Sequence, residues 1–116
     1  MEGHQGGLIL RQKWEDFAKY LFETILRDLP KSERFTMGAD IRRILWEVQA
    51  ACVQISLYSG PRRQLLNAVD IQSKVLESIV KTGIRIKAIP QKRESVVAEK
   101  IAEIGRIVGG LLKVRQ

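Results

Sequence analysis

The sequence predicts an all-α protein, an up-down-up-down four-helix bundle, on three observations. Apolar residues recur at helical spacing in four successive stretches, strong breakers separate the stretches, and none keeps the period of two that a strand needs. In the first stretch Leu10, Trp14, Phe17, Leu21 and Ile25 share a face, predicting a helix over about 8–28. Pro30 ends it, since proline lacks a backbone donor and biases Leu29 away from helical angles. Met37, Ile41, Ile44, Leu45, Val48, Cys52 and Ile55 predict a second helix over about 37–58. Thr36 or Ser32 is placed to cap it, and Asp40 suits the positive end of its dipole. Ser59-Gly60-Pro61 is the next breaker, with Gly60 suited to a helix C-cap and Pro61 to a helix start. The third helix, over about 62–87, is faced by Leu65, Leu66, Val69, Leu76, Ile79, Val80 and Ile86. Gln72 and Ser73 interrupt that face, and Gly83 loosens it. Beyond Ile89-Pro90-Gln91-Lys92-Arg93, the residues Val97, Ile101, Ile104, Val108 and Leu111 alternate steps of four and three, predicting a fourth helix over about 94–113. Short connections make sequential helices antiparallel neighbours at shallow crossing angles. Residues 1–7, with three glycines and the single histidine, read as a flexible tail ahead of one domain over 8–116.

A chain of 116 residues holds one modest core and no second domain. Its 45% hydrophobic and 28% charged residues are an ordinary folded balance, which excludes a wholly disordered chain. The sign of the charge is less ordinary: twenty Lys and Arg against thirteen Asp and Glu leave +7, with a pI near 9.9. Such a surface concentrates polyanions, so nucleic acid or an acidic protein is the leading class of partner. The lone Cys52 lies on a core face and can form neither an internal disulfide nor a thiolate metal cluster. With no secretory leader and no apolar run of the roughly 20 residues a membrane span requires, a cytoplasmic location without membrane contact is expected.

Two helices carry faces that a four-helix core does not use. Opposite the core stripe of the second helix lie Trp46, Ala50, Val53 and Leu57, again at steps of four, three and four. Two readings are open: an oligomer interface anchored by Trp46, or Trp46 lying over a neighbouring helix of the same subunit. On the fourth helix Ala98, Ala102, Gly105 and Gly109 form a strip without bulk, which tight packing within the bundle or against another subunit would explain. The turn carries a third singular feature, Phe35, readable as a hydrophobic staple at the corner or as a stacking surface.

In this topology the connections between helices 1 and 2 and between helices 3 and 4 share one end of the bundle. Arg27, Lys31, Arg34, Arg42, Arg43, Lys81, Arg85, Lys87, Lys92 and Arg93 then converge there, offset by Asp28, Glu33, Asp40 and Glu94. Helix-start amides at the same end add anion donors. A charge cluster is often only a solvated face. Here arginines outnumber lysines, their forks match phosphate bidentately, and Phe35 sits among them. Arg62, Arg63, Lys113 and Arg115 form a smaller group at the other end. Catalysis finds no support: one His lies in the tail, one Cys in a core stripe, and Glu99 and Glu103 have no histidine beside them for a metal. No phosphate-binding glycine loop is present either, so neither enzyme activity nor a cofactor is expected.

The turn Pro30-Lys31-Ser32-Glu33-Arg34-Phe35-Thr36-Met37-Gly38 and the terminal Glu103-Ile104-Gly105-Arg106-Ile107-Val108-Gly109-Gly110-Leu111 resemble a bacterial four-helix-bundle family. It includes the accessory variability determinant (Avd) proteins of diversity-generating retroelements and the proteins encoded in intervening sequences of 23S ribosomal RNA genes. The likeness runs over about residues 10–113. The Avd resemblance implies a non-catalytic subunit assembling as a ring-like homopentamer with a positively charged surface. It also implies reverse transcriptase, template RNA and cDNA as partners during mutagenic retrohoming. The intervening-sequence resemblance implies instead an interaction protein with an acidic protein or RNA partner.

Overall fold

Each apolar stripe becomes one buried face. In the computed structural model, which describes residues 2–114, the chain forms α1 (Glu2–Leu21), α2 (Met37–Ser56), α3 (Arg62–Arg85) and α4 (Glu94–Lys113). A π-helical turn, Phe22–Leu26, extends α1, and single 3-10 turns, Lys31–Glu33 and Gln91–Arg93, lead into α2 and α4. The described residues contain no strand. α1 packs on α2 and α4, and α3 on α2 and α4, which is the expected up-down-up-down bundle, 45 Å long and 20–23 Å across. All five apolar residues assigned to the fourth helix are buried, as are Leu10, Trp14, Phe17, Leu21 and Ile25 of the first.

The π turn has a cause in the sequence. Phe17, Leu21, Ile25 and Leu29 follow one another at steps of four, which drift around an ideal α-helix by about 40° per step. A wider turn at Phe22–Leu26 removes that drift, so Ile25, Leu26 and Leu29 all stay in the core. Thr24 supports it by donating its hydroxyl to the Tyr20 carbonyl at 2.6 Å. Trp14 ties α1 to α2: its indole donates to the Leu45 carbonyl at 3.1 Å, and its ring meets Phe17 edge-on. The buried Ser73 on α3 is satisfied by donating to the Asp70 carbonyl at 2.9 Å.

Several expectations are corrected. α1 begins at Glu2, where a flexible tail over 1–7 was expected. The small Gly6 and Gly7 allow this, since a Cβ on Gly6 would stand 2.5 Å from Leu111 Cδ2 and one on Gly7 3.3 Å from the Ile55 carbonyl. Met1 lies outside the described residues. Neither Thr36 nor Ser32 caps α2, because the Thr36 hydroxyl turns back to Glu33, on its Oε1 at 3.1 Å. α2 stops at Ser56 and Tyr58, not Gly60, takes the first left-handed position (φ 53°), while the Ser59 amide donates to the Gln54 carbonyl. α3 ends the same way, with Lys87 at φ 64° and the Ala88 amide on the Gly83 carbonyl. Gly83 has a packing role there: a Cβ would lie 2.5 Å from Ile89 Cδ1 and 3.0 Å from Met37 Sδ.

Candidate nucleic-acid interface

The two connections at one end of the bundle meet as the topology requires. Glu33, Thr36, Met37 and Asp40 share a groove with Ser78, Ile79 and Thr82, placing the α1–α2 corner against the end of α3. Asp28 reports the other neighbour. Its hydrogen bonds to Arg27 (3.1 and 3.3 Å) hold its carboxyl below the usual carboxylate range, and Arg93 and Lys92 push it the same way across the α3–α4 corner. The same pair raises the Arg27 guanidinium above its ordinary value.

The predicted cations fall into three groups. Arg27 and Arg43 are taken up by carboxylates, Arg27 by Asp28 and Arg43 by Glu47 at 3.3 Å and Asp40 at 4.0 Å. Arg34 and Arg42 brace the corner: Arg34 Nε donates to the Leu29 carbonyl and Arg42 Nη1 to the Arg34 carbonyl, each at 3.4 Å. Lys31, Arg85, Lys87, Lys92 and Arg93 make no ion pair among the described residues. All five are exposed except the half-buried Arg93. Lys81 reaches Glu77 at 3.9 Å. The corner is therefore partly self-neutralised, and five cations stand clear. At the other end Arg62 is occupied, donating to the Ile55 carbonyl at 2.7 Å and lying 4.2 Å over the Tyr58 ring, while Arg115 lies outside the described residues.

Phe35 is not a staple. It is 86% exposed, more than any other large hydrophobic residue described, and Leu29 fills the corner instead. Trp46 is also at the surface, half exposed, its ring tilted 35° against Phe22 at 5.5 Å. Ala50 and Leu57 are exposed beside it and Val53 is half-buried, so the second stripe of α2 lies largely outside the subunit core. The strip on α4 is open as well. A Cβ on Gly109 would meet nothing within 4 Å and one on Gly105 only Asp70 Oδ1 at 3.8 Å, so packing within the subunit does not demand these glycines. With Ala98 and Ala102 they line a groove of about 560 Å³ between α3 and α4.

Sequence reasoning missed the outward face of α3, where Ile71 and Val75 are exposed, and it placed Ile86 on the core face, whereas Ile86 is the exposed residue that ends the helix. The signal was available: Ala68, Ile71, Val75, Ser78 and Thr82 recur at steps of three and four without a charge. It also missed Phe22 as the partner of Trp46. Burial pushes the Cys52 thiol up to about 12, consistent with a core position. No group of His, Cys, Asp and Glu among the described residues could hold a metal, and no helix is long and apolar enough to cross a membrane.

Fold and surface together define a small basic four-helix bundle with five cations free of carboxylate partners at one end. A family model described as bAvd-like matches residues 8–115, and the chain belongs to that family. No curated protein and no solved structure matches it.

Proposed function

We propose that this chain is a non-catalytic accessory subunit of a diversity-generating retroelement, holding template RNA and its cDNA beside the reverse transcriptase. The observation that carries the reading is the set of five cations without carboxylate partners, Lys31, Arg85, Lys87, Lys92 and Arg93, at the end where α2 and α4 begin. Helix starts present backbone amides and positive dipole ends, so fixed donors supplement mobile charges there. Nothing about such an end reads base sequence. It holds phosphates, and a contact of that kind is strong at low salt, weak at high salt and indifferent to sequence.

One bundle offers a short basic end, and repetition multiplies it. The homo-oligomer belongs to the same reading: Trp46, Ala50, Val53 and Leu57 form its subunit contact, and a ring of five follows from the Avd resemblance. Avidity then raises the affinity of the assembly above that of any one end. A ring also needs two different faces on each subunit, and the uncharged outward side of α3 is a second surface free to serve.

The test is a filter-binding titration with a labelled RNA of mixed sequence, comparing the native chain with a Lys87→Ala, Lys92→Ala, Arg93→Ala variant. Loss of three phosphate contacts should weaken binding by roughly tenfold or more at moderate salt. Absence of binding by the native chain at low salt would defeat the reading.

A further inference from the structure

We propose that Phe35 is a stacking platform for an unpaired base, so that the basic end takes single-stranded nucleic acid in preference to duplex; this rests on the phosphate-binding reading above. A phenylalanine 86% exposed contributes almost nothing to the core, and its neighbours in sequence are Arg34 and Thr36. Its backbone is nevertheless held. The Glu33 amide donates to the Pro30 carbonyl at 2.9 Å, the Thr36 amide to the Glu33 carbonyl, and the Asp40 amide to the Thr36 carbonyl at 3.1 Å. Arg42 grips the Arg34 carbonyl, and the Thr36 hydroxyl grips Glu33. Both residues flanking Phe35 are thus pinned, and the ring projects from a braced corner.

That combination selects among partners. A protein hot spot places its aromatic within an apolar, water-excluding surround, whereas this ring stands between charged and hydroxyl-bearing residues. A π-face beside mobile cations is what single-strand binders offer: the cations follow the backbone, and the ring receives a base of any identity. Duplex hides its base faces in the helical stack, so it can use the cations but not the ring. Lys31 and Lys92, without carboxylate partners, and the half-buried Arg93 lie on the two connections at this end of the bundle.

The experiment compares the native chain, Phe35→Ala and Phe35→Trp on a single-stranded RNA carrying one 2-aminopurine, and on the duplex formed with its complement. Phe35→Ala should lose roughly 5- to 100-fold in affinity for the single strand, the range of one stacked base, with duplex affinity unchanged. Phe35→Trp should keep the single-strand affinity. The native chain should raise 2-aminopurine fluorescence by drawing the base out of its stack with neighbouring bases, and Phe35→Ala should not. Equal single-strand affinity of the native chain and Phe35→Ala overturns the stacking proposal while leaving phosphate binding intact. Equal losses on single strand and duplex overturn it too, as does a Phe35→Ala defect confined to reverse-transcriptase capture, which would make the ring a protein contact. If the native chain binds neither nucleic acid at low salt, the phosphate reading falls first and this one with it.

Discussion

Trp46→Ala removes the largest side chain in the second stripe of α2, and its two expected effects can be measured separately. A tryptophan carries up to roughly 250 Å² of surface, and with 53% of Trp46 exposed about 130 Å² awaits a cover. At ~25 cal/mol/Å² a partner that buries all of it gains about 3 kcal/mol, close to a 150-fold change in the subunit dissociation constant. The covered half is tilted against Phe22, so the subunit itself loses that ring contact, worth about 1 kcal/mol, together with the burial beneath it. The core does not open, because Ile44, Leu45 and Val48 remain buried on the opposite face. Sedimentation velocity across a concentration series should show the variant dissociating where the native chain is assembled. Circular dichroism in urea should report a cooperative helical transition at a moderately lower midpoint. A native chain that is monomeric at tens of micromolar, or a variant that assembles as tightly as the native chain, would mean that Trp46 is not a subunit contact.

Lys87 holds a left-handed backbone angle (φ 64°) that favours glycine, so Lys87→Gly should stabilise the fold by about 1 kcal/mol in denaturant titration while weakening RNA binding. Asp28→Asn removes the carboxylate that occupies Arg27 and should raise RNA affinity several-fold in the same filter assay. Gly109→Ala meets no neighbour and should raise the melting midpoint of the dissociated subunit by about 4 °C, from the roughly 1 kcal/mol that separates glycine from alanine inside a helix. Cys52, with its thiol pushed up to about 12, stays protonated at pH 8 and should resist a disulfide-exchange reagent in the native state yet react at once in urea. An unfolded thiol ionises near its ordinary value of 9.0 and the folded one only near 12, so this residue's contribution to stability is intact below pH 9 and declines between the two.

The helices were legible because their signals are local. Periodicity and the prolines at 30, 61 and 90 place all four to within a few residues at most ends, and only the start of α1 departs widely. There the glycine content argues against a helix, and contact with Leu111 and Ile55 on two other helices overrides it. Non-local contacts account for the remaining misses. A wheel drawn for α2 shows a second apolar stripe but not that Phe22, in the turn that extends α1, lies against the Trp46 ring. The charge cluster was readable from topology alone, whereas the division of its members was not. Which arginine meets a carboxylate and which braces the Leu29 and Arg34 carbonyls depends on side-chain directions at a corner of irregular backbone. The exposure of Phe35 has the same origin, since the 3-10 turn at Lys31–Glu33 gives the inward position to Leu29.

If the free cations at this end of the bundle hold nucleic-acid phosphates, RNA binding must depend steeply on salt. Five cations without carboxylate partners, Lys31, Arg85, Lys87, Lys92 and Arg93, predict that log affinity falls against log salt with a slope of roughly −3 to −4 for a single strand occupying one subunit end. The slope should be the same for RNAs of unrelated sequence and shallower once Lys87, Lys92 and Arg93 are alanine. A slope near zero, or one untouched by those substitutions, would mean that these cations do not hold phosphate.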